Sequence, residues 1–264
     1  MILLEKIINI NPIILSLIAT TFTYFMNLLG ACVVLLFKEV SKKIMDCFLS
    51  FGAGVMMAAS FFSLLNPAIE KAEELNMVSW VVISFGFLCG GLFIIFADLF
   101  LNKILTNKKV SKSNRNVLMF SAITLHNIPE GMAVGVAFAS LFINKDMSIL
   151  IAAIMLAFGI GVQNFPEGVA TSLPLRKDGV SKTKALLIGQ ASGLVEPFAG
   201  VLGCIFAIYI NSVLPFLLSF SAGAMMATCV SELIPEAGKT HKTLATLWFT
   251  LGFIVMMVLD VALG

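Results

Sequence analysis

Two six-residue segments, His126-Asn127-Ile128-Pro129-Glu130-Gly131 and Gln163-Asn164-Phe165-Pro166-Glu167-Gly168, repeat a carboxamide, a proline, a carboxylate and a glycine at one spacing inside apolar stretches. Residues four apart share a helix face, so His126 stands over Glu130 and Gln163 over Glu167, and each pair offers two ligands to one point. Asn127 and Asn164 project about 100° around their helices, which suits a neighbouring second ion or the orienting of other ligands. Pro129 and Pro166 free the carbonyls of Leu125 and Val162 and predict kinks there, while Gly131 and Gly168 predict close helix approach. Glu196, just before Pro197, is a third carboxylate in an apolar stretch. Moving a carboxylate from water into hydrocarbon costs at least ~2.5–3.5 kcal/mol, so three of them need compensation, and a divalent cation supplies it. Imidazole with oxygen ligands suits Zn²⁺, Fe²⁺, Mn²⁺ or Cd²⁺, and the absence of cysteine from the set argues against Cu(I).

Blander readings stand beside this one. A lone buried histidine is usually a satisfied packing residue, and a single buried glutamate can serve a proton relay. Met56 places a thioether at the edge of the site, although methionine is also ordinary filling in an apolar helix. Asp98, Glu232, Glu236 and His241 fall near the ends of apolar stretches, where a leaving cation could pause or where polar groups are simply hydrated. Glu70, Glu73 and Glu74 form a charge run of the kind that usually marks a solvated loop. Asp46 and Asp260 have no partner visible in the sequence.

The elements that must position these groups are membrane helices. The chain is 59% hydrophobic and 12% charged, with a mean hydropathy of +1.02, far from the roughly one-quarter charged residues of a soluble domain. Apolar runs near 12–37, 44–68, 77–101, 117–141, 148–172, 185–209, 214–236 and 244–262 are each long enough to cross the ~30 Å core, and they lack the alternation of barrel strands. The expectation is an all-α membrane protein of eight transmembrane helices, with residues 1–264 forming a single transmembrane domain. His126 and Gln163 are each tenth from the same end of their runs and Glu196 is twelfth, so all three lie roughly 15–18 Å deep and can meet.

Fourteen of the 17 basic residues lie in alternate connections: Lys38, Lys42 and Lys43; Lys103, Lys108, Lys109, Lys112 and Arg115; Arg176, Lys177, Lys182 and Lys184; Lys239 and Lys242. Only Lys6, Lys71 and Lys145 lie on the other side. Positive loops stay in the cytoplasm, so both termini are expected outside, in a multi-pass protein of the cell membrane. The formal charge of +2 therefore reflects topology and not nucleic-acid binding. The first apolar run is too long, and too poor in small-residue cleavage sites, to read as a signal peptide. Cys32, Cys47, Cys89, Cys204 and Cys229 all fall within expected spans without C-x-x-C spacing, which argues against a disulfide framework or a thiolate zinc site. The polar stretch 102–116 is expected to be a connection.

Ser50-Phe51-Gly52-Ala53-Gly54-Val55-Met56-Met57-Ala58 matches Ser219-Phe220-Ser221-Ala222-Gly223-Ala224-Met225-Met226-Ala227 at seven of nine positions. The runs holding these segments are five apart and must point in opposite directions, as must the two hexapeptide runs. The expected plan is therefore an inverted repeat, spans 1–3 and 6–8 around spans 4–5, an arrangement that sets substrate sites near mid-membrane and lets the two faces open alternately. The competing reading is that small residues recur wherever helices pack closely.

At these residues the sequence resembles the ZIP (ZRT/IRT-like) family of divalent metal transporters, especially its bacterial GufA-like branch. The resemblance covers the whole chain, through the hexapeptides, Glu196-Pro197 and the Ala59-Ser60-Phe61-Phe62-Ser63 run. It implies a transporter and not an enzyme, with uptake of zinc foremost, and of cadmium, iron and manganese, by alternating access through a binuclear intramembrane centre. By that resemblance the ligands are His126, Glu130, Gln163, Glu167 and Glu196, with Asn127 and Asn164 for the second ion and Met56 facing the transport site. The neutral Asn164 stands where relatives can carry aspartate, and the histidine-rich loop of many relatives is missing. The metal is cargo, and no prosthetic group is expected. The expected partners are divalent ions and the lipid bilayer, with a homodimer as one option. The rival readings are an intramembrane zinc hydrolase, weakened by the lack of a His-Glu-x-x-His, and a selective divalent cation channel, which would have to avoid tight binding.

Overall fold

A computed structural model describes residues 6–37, 41–106, 112–177, 179–209, 211–238 and 241–263. These residues form helices and contain no strand. In chain order they are α1 (Pro12–Leu36), α2 (Lys42–Ala59), α3 (Asn66–Glu74), α4 (Ser79–Thr106), α5 (Lys112–Ile143), α6 (Met147–Lys177), α7 (Lys182–Ala191), α8 (Val195–Tyr209), α9 (Leu214–Thr228), α10 (Ile234–Ala237) and α11 (Lys242–Leu263). Local chemistry starts several of them. Asn11 accepts from the Ile13 N–H at 2.9 Å with Pro12 opening α1, and Ser41 caps α2 through Ile44 N–H. Asp146 caps α6 by accepting from the backbone and hydroxyl of Ser148, bonds that hold its carboxyl below the usual range.

Among the described residues, seven stretches are long and apolar enough to cross a membrane: Pro12–Leu36, Lys42–Glu74, Ser79–Phe100, Met147–Leu173, Lys182–Tyr209, Leu214–Ala237 and Lys242–Ala262. The run expected at 117–141 falls within α5, of which Asn127–Ile143 is a shorter apolar stretch. Bulky apolar side chains such as Trp80, Phe198 and Tyr209 face outward, as they must where the solvent is lipid. The interior is rich in small residues, Ala53, Ala58, Ala133 and Ala139 among them, which lets backbones approach. The chain is a multi-pass helical membrane protein.

The helices pack in two sets. In one, α1 lies on α6 and α8, and α5 lies on α8 and α6; in the other, α2 pairs with α11 and α4 with α9. The sets meet where α2 crosses α6 and α9 crosses α5.

Changes of helix type lie outside the hexapeptides. Both α5 and α6 run as α-helix through Pro129 and Pro166. Instead, a π turn at Ser60–Leu65 links α2 to α3, a 3₁₀ turn at Ser192–Leu194 links α7 to α8, and a second π turn at Cys229–Leu233 links α9 to α10. Each precedes a proline, namely Pro67, Pro197 and Pro235. Proline removes an N–H and crowds the carbonyl four residues back, here Ser63, Gly193 and Ser231, each of which lies inside its irregular turn. The connection expected at 102–116 is also shorter, because α4 continues to Thr106 and α5 starts at Lys112. Lys38, Lys108, Lys109 and Lys239 lie outside the described residues. The five cysteines are free thiols.

Candidate metal centre

α5 contributes Asn127 and Glu130, which are buried; α6 contributes Gln163 and Asn164, buried, and Glu167, half-buried; the first turn of α8 contributes Glu196, fully buried. Close backbone contact brings these helices together. A β-carbon on Gly131 would lie 2.5 Å from the Glu196 carbonyl oxygen, and one on Gly168 would lie 2.1 Å from the Asn27 carbonyl oxygen. The glycine after each glutamate is thus what seats α5 against α8 and α6 against α1.

Two carboxamide–carboxylate pairs result. Gln163 Nε2 donates to Glu130 Oε1 at 2.7 Å. Asn164 Nδ2 donates to Glu196 Oε1 at 2.8 Å and Oε2 at 3.0 Å, and to the Thr23 carbonyl at 3.2 Å. The Thr23 hydroxyl also donates to Glu196 Oε2. Glu130 lies within the electrostatic reach of both Glu167 and Glu196, and Glu196 within that of Glu167. Lys71 and Glu74 form an ion pair at 2.6 Å, far along the chain from these carboxylates. Among the described residues, none of the interactions recorded for Glu130, Glu167 and Glu196 is with a lysine or arginine, which leaves protons or cations as compensation.

Several buried oxygens in the cluster have no hydrogen-bond partner: Asn127 Oδ1, Glu130 Oε2, Gln163 Oε1 and Asn164 Oδ1. An unpartnered buried polar atom costs ~1–3 kcal/mol, so this many in one place call for a ligand. The chemistry on offer is hard carboxylate and carboxamide oxygen, with the buried thioether of Met56 nearby. Met56 lines a small cavity together with Gly52, Gln163, Pro166 and Glu167. Among the described residues, no three His, Cys, Asp or Glu side chains are set to hold an ion by themselves. The side chain of His126 lies outside the described residues, and carboxamide oxygens have to complete any coordination shell.

Of the outlying acids, Glu232 lies within electrostatic reach of Glu167, Asp98 and Glu236, forming an acidic line from the cluster towards the end of the bundle that carries the basic loops. Asp260 does have a partner, since Ser63 donates to both its oxygens at 2.7 and 2.9 Å. Asp46 is buried with Oδ2 unpartnered. Glu70 and Glu74 line a separate cavity at the opposite end of the bundle, together with Asp260.

Sequence reasoning missed α1. Ser16, Thr20, Thr23 and Asn27 are all fully buried, and their spacing of four, three and four residues puts them on one helix face. That polar stripe in an otherwise apolar helix was the available signal.

A multi-helix membrane protein with paired carboxamides and carboxylates at its centre, and among the described residues no lysine or arginine recorded against them, belongs to the ion-handling class. The comparisons with known proteins make this specific. The model of the ZIP zinc transporter family matches residues 10–117 and 107–260. Relatives include zinc transporter ZIP11 of Xenopus tropicalis, 36% identical over 96% of this chain and 98% of its own. They also include zinc transporter GufA of Myxococcus xanthus, 34% identical over 96% and 98%, and zinc transporter ZIPB of Bordetella bronchiseptica, 35% identical over 89% and 77%. The chain belongs to the ZIP family, whose members are transporters and not enzymes, which disposes of the hydrolase reading.

Proposed function

We propose that residues 1–264 form one transporter domain of eight membrane-spanning helices that carries divalent transition metal into the cytoplasm, zinc foremost, with cadmium, iron and manganese as competing cargo. The ion is held by His126, Glu130, Gln163 and Glu167, with Met56 at the edge. Glu196 completes the ligand set that the family resemblance implies, and Asn127 and Asn164 form the flank that it assigns to a second ion. The observation that carries this reading is the unpartnered pair Glu130 Oε2 and Gln163 Oε1, buried on facing helices beside Glu167 and Glu196. The printed names of the relatives supply zinc as cargo.

The direction follows the basic loops, which put both termini outside the cell membrane. The packing supports alternating access: the cluster sits in the set of α1, α5, α6 and α8, which slides against the set built on α2, α4, α9 and α11. An inverted repeat supports that motion. A β-carbon on Gly252 of α11 would lie 2.1 Å from the Phe51 carbonyl, and one on Gly90 of α4 would lie 1.9 Å from that of Phe220; Phe51 and Phe220 are matched positions of the repeat.

The test is Zn²⁺ and Cd²⁺ entry into liposomes holding the purified protein and a trapped indicator. Saturable influx is expected for the wild type and abolished in His126→Ala and Glu167→Ala. Unchanged influx in both folded variants would sink the assignment, and influx that never saturates would favour a channel.

A further inference from the structure

The two carboxamide–carboxylate pairs are not alike. Glu130 keeps Oε2, and Gln163 keeps Oε1, without a partner. Neither oxygen of Glu196 is spare in that sense: Oε2 takes the Thr23 hydroxyl, and both oxygens take the Asn164 amide. We infer that Asn164 holds with its own N–H₂ group the place of a second cation, so that the centre takes a single divalent ion and Glu196 is a positioning residue and not a ligand. This rests on the transport centre proposed above and narrows the two-ion form that the family resemblance implies.

Three observations carry it. The first is position. Asn164 Nδ2 stands almost equidistant from the two Glu196 oxygens, at 2.8 and 3.0 Å, which is where an ion chelated by both oxygens would stand. The two cannot coexist, and an amide N–H₂ donates hydrogen bonds and does not ligate metals.

The second is orientation. The neighbours of Nδ2 are Glu196 Oε1, Glu196 Oε2 and the Thr23 carbonyl, all acceptors. Turning the amide over would press Oδ1 against three oxygens, so chemistry fixes which atom faces Glu196.

The third is enclosure. Thr23, Asn164 and Glu196 are all fully buried, and Gly131 seats α5 directly on the Glu196 backbone. Rotating Asn164 away would strip its N–H₂ of all three of these acceptors. A neutral amide at this point also explains how Glu196 can sit beside Glu130 and Glu167 without an ion of its own: Thr23 and Asn164 supply the donors. Aspartate at 164 would face Glu196 with like charge, and only a cation between them would reconcile the two.

The experiment is a count of Zn²⁺ bound tightly by the purified full-length protein, by equilibrium dialysis, paired with X-ray absorption at the zinc edge. The wild type is expected to bind one ion with no zinc–zinc scattering. Asn164→Asp is expected to bind two, with scattering from a second zinc at roughly the 3.5–4 Å of two-metal sites. Two ions in the wild type, with zinc–zinc scattering, would overturn the inference while leaving the transport centre standing. A single wild-type ion that persists in Glu130→Gln combined with Glu167→Gln would overturn the transport centre and the inference together. The wild-type count decides the matter even if Asn164→Asp fails to fold.

Discussion

Gln163 and Glu130, on facing helices, share one hydrogen bond of 2.7 Å and leave the other oxygen of each without a partner. A membrane interior without water punishes that arrangement unless something is to be bound, which makes the unpartnered oxygens the place to probe first. Gln163→Ala removes one of the proposed ligands and frees Glu130 Oε1. The half-saturating Zn²⁺ concentration for uptake is expected to rise by ~10–100-fold, the scale seen when groups supporting a metal are removed. Gln163→Glu supplies an oxygen in the same place and is expected to restore most of the affinity. Equal loss in both variants would point to packing as the role of this position.

Thr23 gives the structure a second handle. Its hydroxyl donates to a buried carboxylate, and Thr23→Val keeps the shape while deleting the donor. The expected cost is ~1–3 kcal/mol of stability, read as a lower melting temperature of the detergent-solubilised protein, with Thr23→Ser recovering it. A Thr23→Val protein as stable as wild type would mean that the Glu196 contact contributes nothing net.

Backbone approach can be tested independently of metal. A β-carbon at Gly131 meets the Glu196 backbone at 2.5 and 2.8 Å, and the helices must move apart to admit it. Gly131→Ala is expected to cost ~1–3 kcal/mol, the range for overpacking. Gly91 in α4 is the contrast, since its nearest neighbour would be 3.9 Å away, and Gly91→Ala is expected to be neutral or to gain up to ~1 kcal/mol from helix propensity. Thermal melts of the two variants read the difference.

At the opposite end from the basic loops, Ser63 ties the π turn after α2 to α11 through both oxygens of Asp260. Ser63→Ala leaves a part-buried carboxylate without its donor and is expected to lower the melting temperature, whereas Asp260→Asn, which still accepts the bond, is expected to be milder. The reverse order would show that charge at Asp260, and not the bond, is what matters.

The sequence made the hexapeptides legible because a carboxylate in an apolar run has few innocent explanations, and helical spacing alone placed Glu130 and Gln163 where they could meet. Pro67 and Pro235 were not singled out. α5 and α6 stay α-helical through Pro129 and Pro166, while the turns before Pro67, Pro197 and Pro235 changed type. Whether a proline bends a helix depends on what neighbouring helices offer the freed carbonyl, and a local pattern does not hold that information. Thr23 escaped for a related reason. Hydropathy averaged over α1 hides four polar residues on one face, and Thr23's partner Glu196 lies 173 residues away.

Relative motion of the two helix sets is the most demanding expectation. The rings of Phe48 in α2 and Phe165 in α6 meet edge to face at 6.1 Å across the boundary, whereas Phe22 in α1 and Phe158 in α6 stack at 6.4 Å within one set. With the five native cysteines replaced, Phe48→Cys with Phe165→Cys reports on the boundary, and Phe22→Cys with Phe158→Cys reports on the interior of one set. If the sets slide as an ion is carried, a short bifunctional thiol reagent should link the boundary pair at a rate that changes with added Zn²⁺. The interior pair should react at one rate throughout, because its two helices travel together. A boundary rate as indifferent to Zn²⁺ as the interior rate would mean that the sets stay fixed. The inward release of the ion would then have to come from local rearrangement, with the π turn at Cys229–Leu233, beside the cavity of Met56 and Glu167, as the segment able to provide it.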